Sequence, residues 1–153
     1  MQTKNFKVFL ESYVNFLEEV AAGEGEKHAA LLSYDSKRID RATSNQQAMN
    51  MRLAQMEQQR EAEQDQIGWG GLTFHEILER VDKSEQADFV ALFERFARAV
   101  SDIKYFNGKS IVFAQEGLKV LGVTEEKARS ASYGADGKRA EDVSGPALFE
   151  TKV

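Results

Sequence analysis

The stretch from Glu85 to Leu121 constrains the fold of this chain more than any other part of the sequence. Its apolar residues recur at spacings of three, four and seven, which is the period of an α-helix, and the pattern lasts for about ten turns. This first stripe comprises Phe89, Phe93, Phe96, Val100, Ile103, Ile111, Ala114, Leu118 and Leu121. Up to Asp102 the opposite face is mostly polar, so this half is typical of one side of a helix bundle.

A second apolar stripe begins after Asp102. Phe106, Phe113 and Val120 are spaced at i, i+7 and i+14, about 100° around the helix from the first stripe. Tyr105 and Val112 add apolar surface on a third side. Because a helix that is apolar on several sides needs several partners, we expect either the N-terminal helices or a separate protein to cover the second stripe.

Two long helices are predicted before this one. Residues 4–22 carry apolar side chains at spacings of three and four. Gly23 and Gly25 follow, and since each glycine costs about 1 kcal/mol relative to alanine inside a helix, a kink and a continuous helix to Tyr34 both remain open. Asp35–Gln66 lacks glycine, proline and aromatic residues, which predicts a long rod. Its heptad-like seam, increasingly polar towards the end, is Ile39, Ala42, Gln46, Met49, Leu53, Met56, Arg60 and Glu63.

A glycine-rich connection and a short helix separate the rod from the final helix. Gly68-Trp69-Gly70-Gly71 lacks the preceding strand and the lysine of a phosphate-binding loop, so it is predicted to link two helices. Thr73 and Glu76 have the spacing of a capping box, which predicts a helix over Phe74–Val81. We expect this helix to pack as a lid with Phe74, Ile77 and Leu78 inward. Asp82 or Ser84 would then cap the final helix.

These segments predict an all-α fold, an elongated antiparallel helical bundle or coiled coil with long helices and one short connecting helix, over residues 1–122. We expect Phe6–Val20 and Ile39–Met56 to pack against Phe89–Ile103. Residues 123–153 consist mostly of small and charged residues, which bury too little apolar surface to offset the entropy of ordering. We therefore predict a mostly flexible C-terminal tail.

Composition and charge argue against several classes of function. The net charge of −5 and the lack of a basic block argue against a nucleic-acid partner. No apolar run approaches the ~18 residues that a membrane span needs, and the absence of cysteine fits a cytoplasmic protein. His28 and His75 lie on different predicted helices without ligand-spaced carboxylates, so neither a metal, nor another cofactor, nor an enzyme active site is expected.

Two short motifs give the chain a recognisable pattern. The first is Ser132-Tyr133-Gly134-Ala135-Asp136-Gly137-Lys138 in the tail, and the second is Asn107-Gly108 inside the last helix. Together with the Gly-Leu-Thr-Phe start of the short helix and the order of long helices, they resemble the FlgN-type flagellar export chaperones. That family has a Tyr-Gly-x-x-Gly tail motif and tends to have Asn-x-x-Asn-Gly in the last helix, where this chain has Lys104 at the first asparagine.

The resemblance implies a cytoplasmic chaperone for hook-associated proteins, which form the hook–filament junction of the flagellum. Such a chaperone binds the terminal helical segment of its client, prevents premature association and delivers the client to the type III export gate. The client helix would bind helix against groove on Phe106, Ile111, Phe113, Leu118 and Val120. Tyr133, Gly134 and Gly137 would dock to the cytosolic domain of the gate.

Two other classes of function remain open at this point. In a self-associating structural coiled-coil tether or adaptor, the second stripe would be buried in a homo-oligomer, and a client-free chaperone could also self-associate. An enzyme subunit or regulatory bundle is the third class.

Overall fold

In a computed structural model of the chain, residues 2–120 are described and form four helices. They are α1 (Gln2–Ser33), α2 (Ser36–Gln66), α3 (Phe74–Arg80) and α4 (Lys83–Val120). No strand occurs among residues 2–120, and the predicted all-α bundle with one short connecting helix is confirmed. The expectations about Leu121, the tail from 123 to 153, and Tyr133, Gly134 and Gly137 lie outside the described residues.

The first helix continues without interruption through Gly23 and Gly25. A Cβ added at Gly23 would overlap with Oε1 of Gln46 in α2 and would lie 3.3 Å from the sulfur of Met49. Nε2 of Gln46 donates to the Val20 carbonyl over 3.4 Å and to Oε1 of Glu24 over 2.9 Å, so this side chain lies directly on the backbone of α1. Gly23 is therefore a point of close approach between helices and not a helix break.

The central helix of the bundle is α1. It packs extensively against both α4 and α2, while α3 packs against α4. Phe6 near the start of α1 stacks on Phe89 near the start of α4, and His28 near the end of α1 packs on Phe106. These contacts show that α1 and α4 run in the same direction, whereas α2 runs opposite to both.

The composition of α1 explains its central position. Its buried residues cover more than one side of the helix, and they include Phe6, Leu10, Tyr13, Val14, Phe16, Leu17, Val20 and Ala21. We expected Phe6–Val20 and Ile39–Met56 to pack against α4; α1 does so, whereas α2 packs mainly against α1. Of the three long helices, α1 is thus the one that packs along two others, whereas α4 has α1 and only the short α3 against it.

The main core lies at the end of the bundle that holds α3, which we call the proximal end. There Phe74 of α3 stacks on Phe93 of α4 with ring centroids 4.1 Å apart, and Trp69 packs edge-on against Phe6 at 5.9 Å. Phe74 and Ile77 are buried, as predicted for a lid. The other end, with the α1–α2 turn and the last turns of α4, is the distal end.

The connection before α3 has the predicted turn chemistry. Gly68 and Gly71 adopt left-handed backbone conformations with φ of 81° and 78°, which glycine reaches without steric cost. The hydroxyl of Thr73 accepts from the amide of Glu76, and the Glu76 carboxylate accepts from the amide of Thr73, which completes the predicted capping box.

Candidate functional site

The buried face of α4 changes at Ile103. Before it, the first stripe is buried in the core through Phe89, Phe93, Phe96, Val100 and Ile103. Within residues 104–120, Ser110 alone is buried. The distal part of α4, nearly half of the helix, is therefore apolar in sequence but poorly covered by the rest of the described chain.

The first stripe is open to solvent at the distal end. Ile111 is 48% exposed, Ala114 is exposed, and Leu118 is only partly buried. The end of α1 covers the side of α4 that carries Phe106 and Phe113 and leaves the side of Ile111 open, and α4 continues past the end of α1 to Val120. The side of α4 that faces the core at the proximal end has no helix against it here.

The second stripe is partly covered by the end of α1. Phe106 packs against the His28 ring at a centroid distance of 6.3 Å, and a Cβ at Gly25 would lie 3.6 Å from the Phe106 ring. Phe113 packs against the ring of Tyr34, and both Phe106 and Phe113 are partly buried. Val120 lies beyond these contacts and is 87% exposed.

Tyr34 connects α1 to α2 in an uncommon backbone conformation. Its φ of 57° lies in the left-handed region, which costs a residue other than glycine about 1–2 kcal/mol. The residue is 81% exposed, so its ring adds apolar surface beside Phe113 without being part of the core. Asp35 follows and caps α2 by accepting from the amides of Lys37 and Arg38.

These residues form one candidate site, which we call the distal apolar surface: Tyr34, Phe106, Ile111, Phe113, Leu118 and Val120. It contains all five residues that the sequence suggested for client binding. The structure places Ile111 and Leu118 on the open side and Phe106 and Phe113 on the side that α1 partly covers. Exposed apolar side chains at one end of a bundle are typical of a protein-binding site.

The charges around this surface differ in sign from those of the whole chain. Residues 104–120 contain Lys104, Lys109 and Lys119 but a single acid, Glu116, whereas the chain carries a net charge of −5. Nζ of Lys109 lies 5.5 Å from the centroid of the Tyr105 ring. None of the three lysines forms an ion pair with another residue of 2–120. The distal part of α4 is thus a basic surface on an acidic protein.

A shallow groove leads from the proximal side to Phe106. It has a volume of about 280 Å³ and is lined by Glu18, Ala21, Ala22, Arg95, Arg98, Ala99, Asp102 and Phe106. Arg95 closes one part of it by donating to both carboxylate oxygens of Glu18 and to Oδ1 of Asn15. The hydrogen bond from Arg95 holds the pKa of Glu18 below its ordinary value of 4.5. Small-molecule sites are typically larger than this groove and more apolar.

A buried polar cluster in the proximal core was not expected from the sequence. The Tyr13 hydroxyl of α1 donates to the Glu57 carboxylate of α2, which also accepts from Nε of Arg60 over 3.0 Å. Nη1 of Arg60 donates to Gln64, and Nε2 of Gln64 donates to the Trp69 carbonyl over 3.1 Å. The cluster therefore ties α1, α2 and the glycine-rich connection together.

Burial decides the electrostatics of this cluster. Burial, reinforced by the Glu57 charge, raises the pKa of Tyr13 far above its ordinary value. Burial alone would lower the pKa of Arg60, but the hydrogen bonds and charge of Glu57 outweigh it and raise that pKa. The polar end of the predicted seam was the only sign of this cluster in the sequence. The pairing of Tyr13 with Glu57 could not be predicted, because the two residues lie 44 positions apart.

The histidines have separate environments. His28 packs on Phe106, and His75 on α3 lies 3.6 Å from Glu79 at the surface. Among residues 2–120, no group of three or more histidine, aspartate or glutamate side chains is arranged to hold a metal ion. None of the described helices is long and apolar enough to cross a membrane.

Comparison of the chain with protein-family models, with curated proteins and with solved structures finds no match in any of the three.

Proposed function

We propose that this protein is a cytoplasmic type III export chaperone. It binds the terminal helical segment of a hook-associated flagellar protein, prevents premature association of that segment and delivers the client to the flagellar export gate. The observation that carries the proposal is the distal apolar surface, on which Ile111 is 48% exposed and Val120 is 87% exposed. The two short motifs that resemble the FlgN-type family supply the identity of the client class.

An amphipathic client helix suits the shape of this surface. Ile111 and Leu118 lie seven residues apart on one side of α4, a spacing that matches the apolar stripe of a second helix. Full burial of a large aliphatic side chain contributes about 1.5–3 kcal/mol, and partial burial contributes less. Burying part of this surface therefore gives a reversible complex, which a delivery function requires.

The division of the bundle into two ends supports the same role. The proximal core holds the aromatic stacking of Phe74 on Phe93, the buried cluster around Arg60 and the contact of Trp69 with Phe6. Because these contacts stabilise the fold, the distal end can keep apolar side chains exposed without unfolding the helices. A chaperone surface of this kind is available before the client arrives.

Delivery to the export gate is assigned to the tail motif. Tyr133, Gly134 and Gly137 match the Tyr-Gly-x-x-Gly pattern, and a tyrosine ring filling a pocket contributes substantially to a weak contact. This assignment rests on the resemblance alone, because the three residues lie outside the described part of the chain.

The test is co-purification of hook-associated proteins from the native cytosol with tagged full-length protein. Wild type should bring down a hook-associated protein, and Ile111→Asp should not, because the carboxylate would be buried without a partner against the client. Val8→Asp is the matched control, since Val8 is 59% exposed on α1 at the proximal end. If Ile111→Asp captures the same proteins as wild type, the distal apolar surface is not the client site.

A further inference from the structure

Gly108 has no role within the described part of the chain. It lies inside α4, which continues for 12 residues beyond it to Val120, and it costs the helix about 1 kcal/mol relative to alanine. A Cβ added at Gly108 would have no atom within 4 Å, in contrast to Gly23, which makes room for Gln46. Neither close packing nor a helix end explains the glycine.

Gly108 lies on the side of α4 that α1 leaves open. By helix geometry it is about 60° around the axis from Ile111 and about 160° from Phe106. Phe106 marks the side that packs on α1, and Ile111 marks the exposed continuation of the first stripe. The missing side chain therefore opens a gap in the uncovered side of the distal apolar surface, where another backbone can approach closely.

Two lysines that form no ion pair within residues 2–120 flank this gap. Lys104 and Lys119 lie about 40° and about 20° around the helix axis from Gly108, whereas Glu116 lies about 80° away. A partner with acidic side chains beside its apolar stripe complements them. A second copy of this chain presents the same lysines, and residues 104–120 offer no acid on this side to pair with them.

We propose that a helix of the partner protein crosses α4 at Gly108. Its backbone occupies the gap above the glycine, its apolar stripe covers Ile111 and Leu118, and acidic residues beside that stripe pair with Lys104 and Lys119. This inference rests on the proposed chaperone function and adds to it the crossing point and the charge of the bound helix.

Two designed peptides and two glycine variants test the proposal. The peptides are 21-residue amphipathic helices with the same leucine stripe, one flanked by glutamates and the other by lysines. Gly117→Ala is the control for Gly108→Ala, because Gly117 also has no atom within 4 Å of an added Cβ and lies about 180° around the helix from Gly108. Binding to full-length protein is measured by fluorescence anisotropy.

The acidic peptide should bind wild type about tenfold more tightly than the basic peptide, with the difference shrinking in high salt. Gly108→Ala should weaken the acidic peptide about fivefold or more, and Gly117→Ala should leave its affinity within about twofold. Both variants should melt at or above the wild-type temperature, because alanine favours the helix. The crossing is supported if neither variant melts below wild type and only Gly108→Ala loses affinity for the acidic peptide.

Several results would overturn the proposal. If the two peptides bind equally, the proposed charge preference is wrong. If the two glycine variants bind the acidic peptide equally, the proposed crossing point is wrong. Tighter peptide binding by Gly108→Ala than by wild type would show that the tail of the chain occupies the site in wild type. A wild-type dimer that dissociates in this variant would place a second copy of the chain there. If Ile111→Asp still loses the hook-associated client in these cases, the chaperone function stands and only the crossing fails; if Ile111→Asp keeps the client, the chaperone site itself is wrong.

Discussion

The ring of Phe113 in α4 packs against the ring of Tyr34 at the α1–α2 turn, with 6.0 Å between the ring centroids. Tyr34 is 81% exposed, so this contact marks the place where coverage of α4 by α1 ends. Residues 114–120 extend past it. The contact separates the part of α4 that packs along α1 from its last turns, which have no helix of residues 2–120 against them.

Phe113→Asp should abolish client binding and leave the melting temperature nearly unchanged. Phe113 is partly buried against an exposed tyrosine, so the variant loses little intramolecular packing. A carboxylate at this position would be desolvated by a bound apolar helix without a partner. Co-purification of the client and thermal unfolding followed by circular dichroism measure the two effects. If the variant unfolds, the second stripe is part of the core.

Arg60→Met should destabilise the fold by about 3–5 kcal/mol, because it leaves the buried Glu57 carboxylate without its cation. Arg60 is 1% exposed and pairs with Glu57 in the proximal core. Urea unfolding measures the free energy. Arg52→Met is the control on the same helix, where loss of the contact with the Phe16 ring should cost less than about 1 kcal/mol.

Adding Glu57→Gln to Arg60→Met should recover part of the lost stability. The neutral amide does not need the cation that the carboxylate needs. If the double variant is no more stable than Arg60→Met alone, the cost comes from lost packing and not from an unpaired charge.

The Glu18–Arg95 pair should make a small, pH-dependent contribution to stability. The pKa of Glu18 is lowered in the fold by the hydrogen bond from Arg95, so its contribution is present above the ordinary value of 4.5 and is lost as the pH falls through the lower folded value. Because the pair is at the surface, the effect is about 0.5 kcal/mol. Unfolding of wild type and Glu18→Gln should differ at pH 7 and converge towards pH 3.

Arg95→Gln removes the cause of the pKa shift and should reproduce the pH profile of Glu18→Gln. A constant difference between wild type and Glu18→Gln from pH 7 to pH 3 would contradict this account of the pair.

The fold was predictable where its signals are local. Helical periodicity located the three long helices, and the spacing of Thr73 and Glu76 located the start of α3. Which helix is central could not be predicted, because α1 and α4 both have wide apolar faces and only tertiary packing decides between them. The continuity of α1 through Gly23 was open for the same reason, since it depends on Gln46 of another helix.

The residues of the candidate site could be predicted from the sequence, but the extent to which other helices cover them could not. The helical pattern identified Phe106, Ile111, Phe113, Leu118 and Val120 as more apolar surface than one core face requires. Their exposure depends on which side of α4 the end of α1 covers and how far it reaches, which periodicity alone does not reveal. Arg60 illustrates the opposite case. A charged residue at the end of a seam is ordinarily solvated, but Arg60 is buried beside Glu57, which also accepts a hydrogen bond from the distant Tyr13. The assignment of these residues to a client stays a prediction.

Tyr133→Ala should separate delivery from client capture. Because Tyr133 lies beyond the distal apolar surface in sequence, client affinity should stay within about twofold of wild type, a change of roughly 0.4 kcal/mol. Binding to the cytosolic domain of the export gate should be lost. Titration calorimetry with each partner checks both results, and a variant that loses its client or binds the gate like wild type contradicts this division.

The central claim is that the distal apolar surface holds one client chain. Light scattering of the purified full-length protein over a concentration series, with and without the hook-associated protein that it captures, measures this most directly. The account predicts a 1:1 complex with the client, and the dissociation of any client-free oligomer on dilution. A homo-oligomer that survives dilution and takes up no client would contradict it, and would identify a self-associating coiled-coil tether instead.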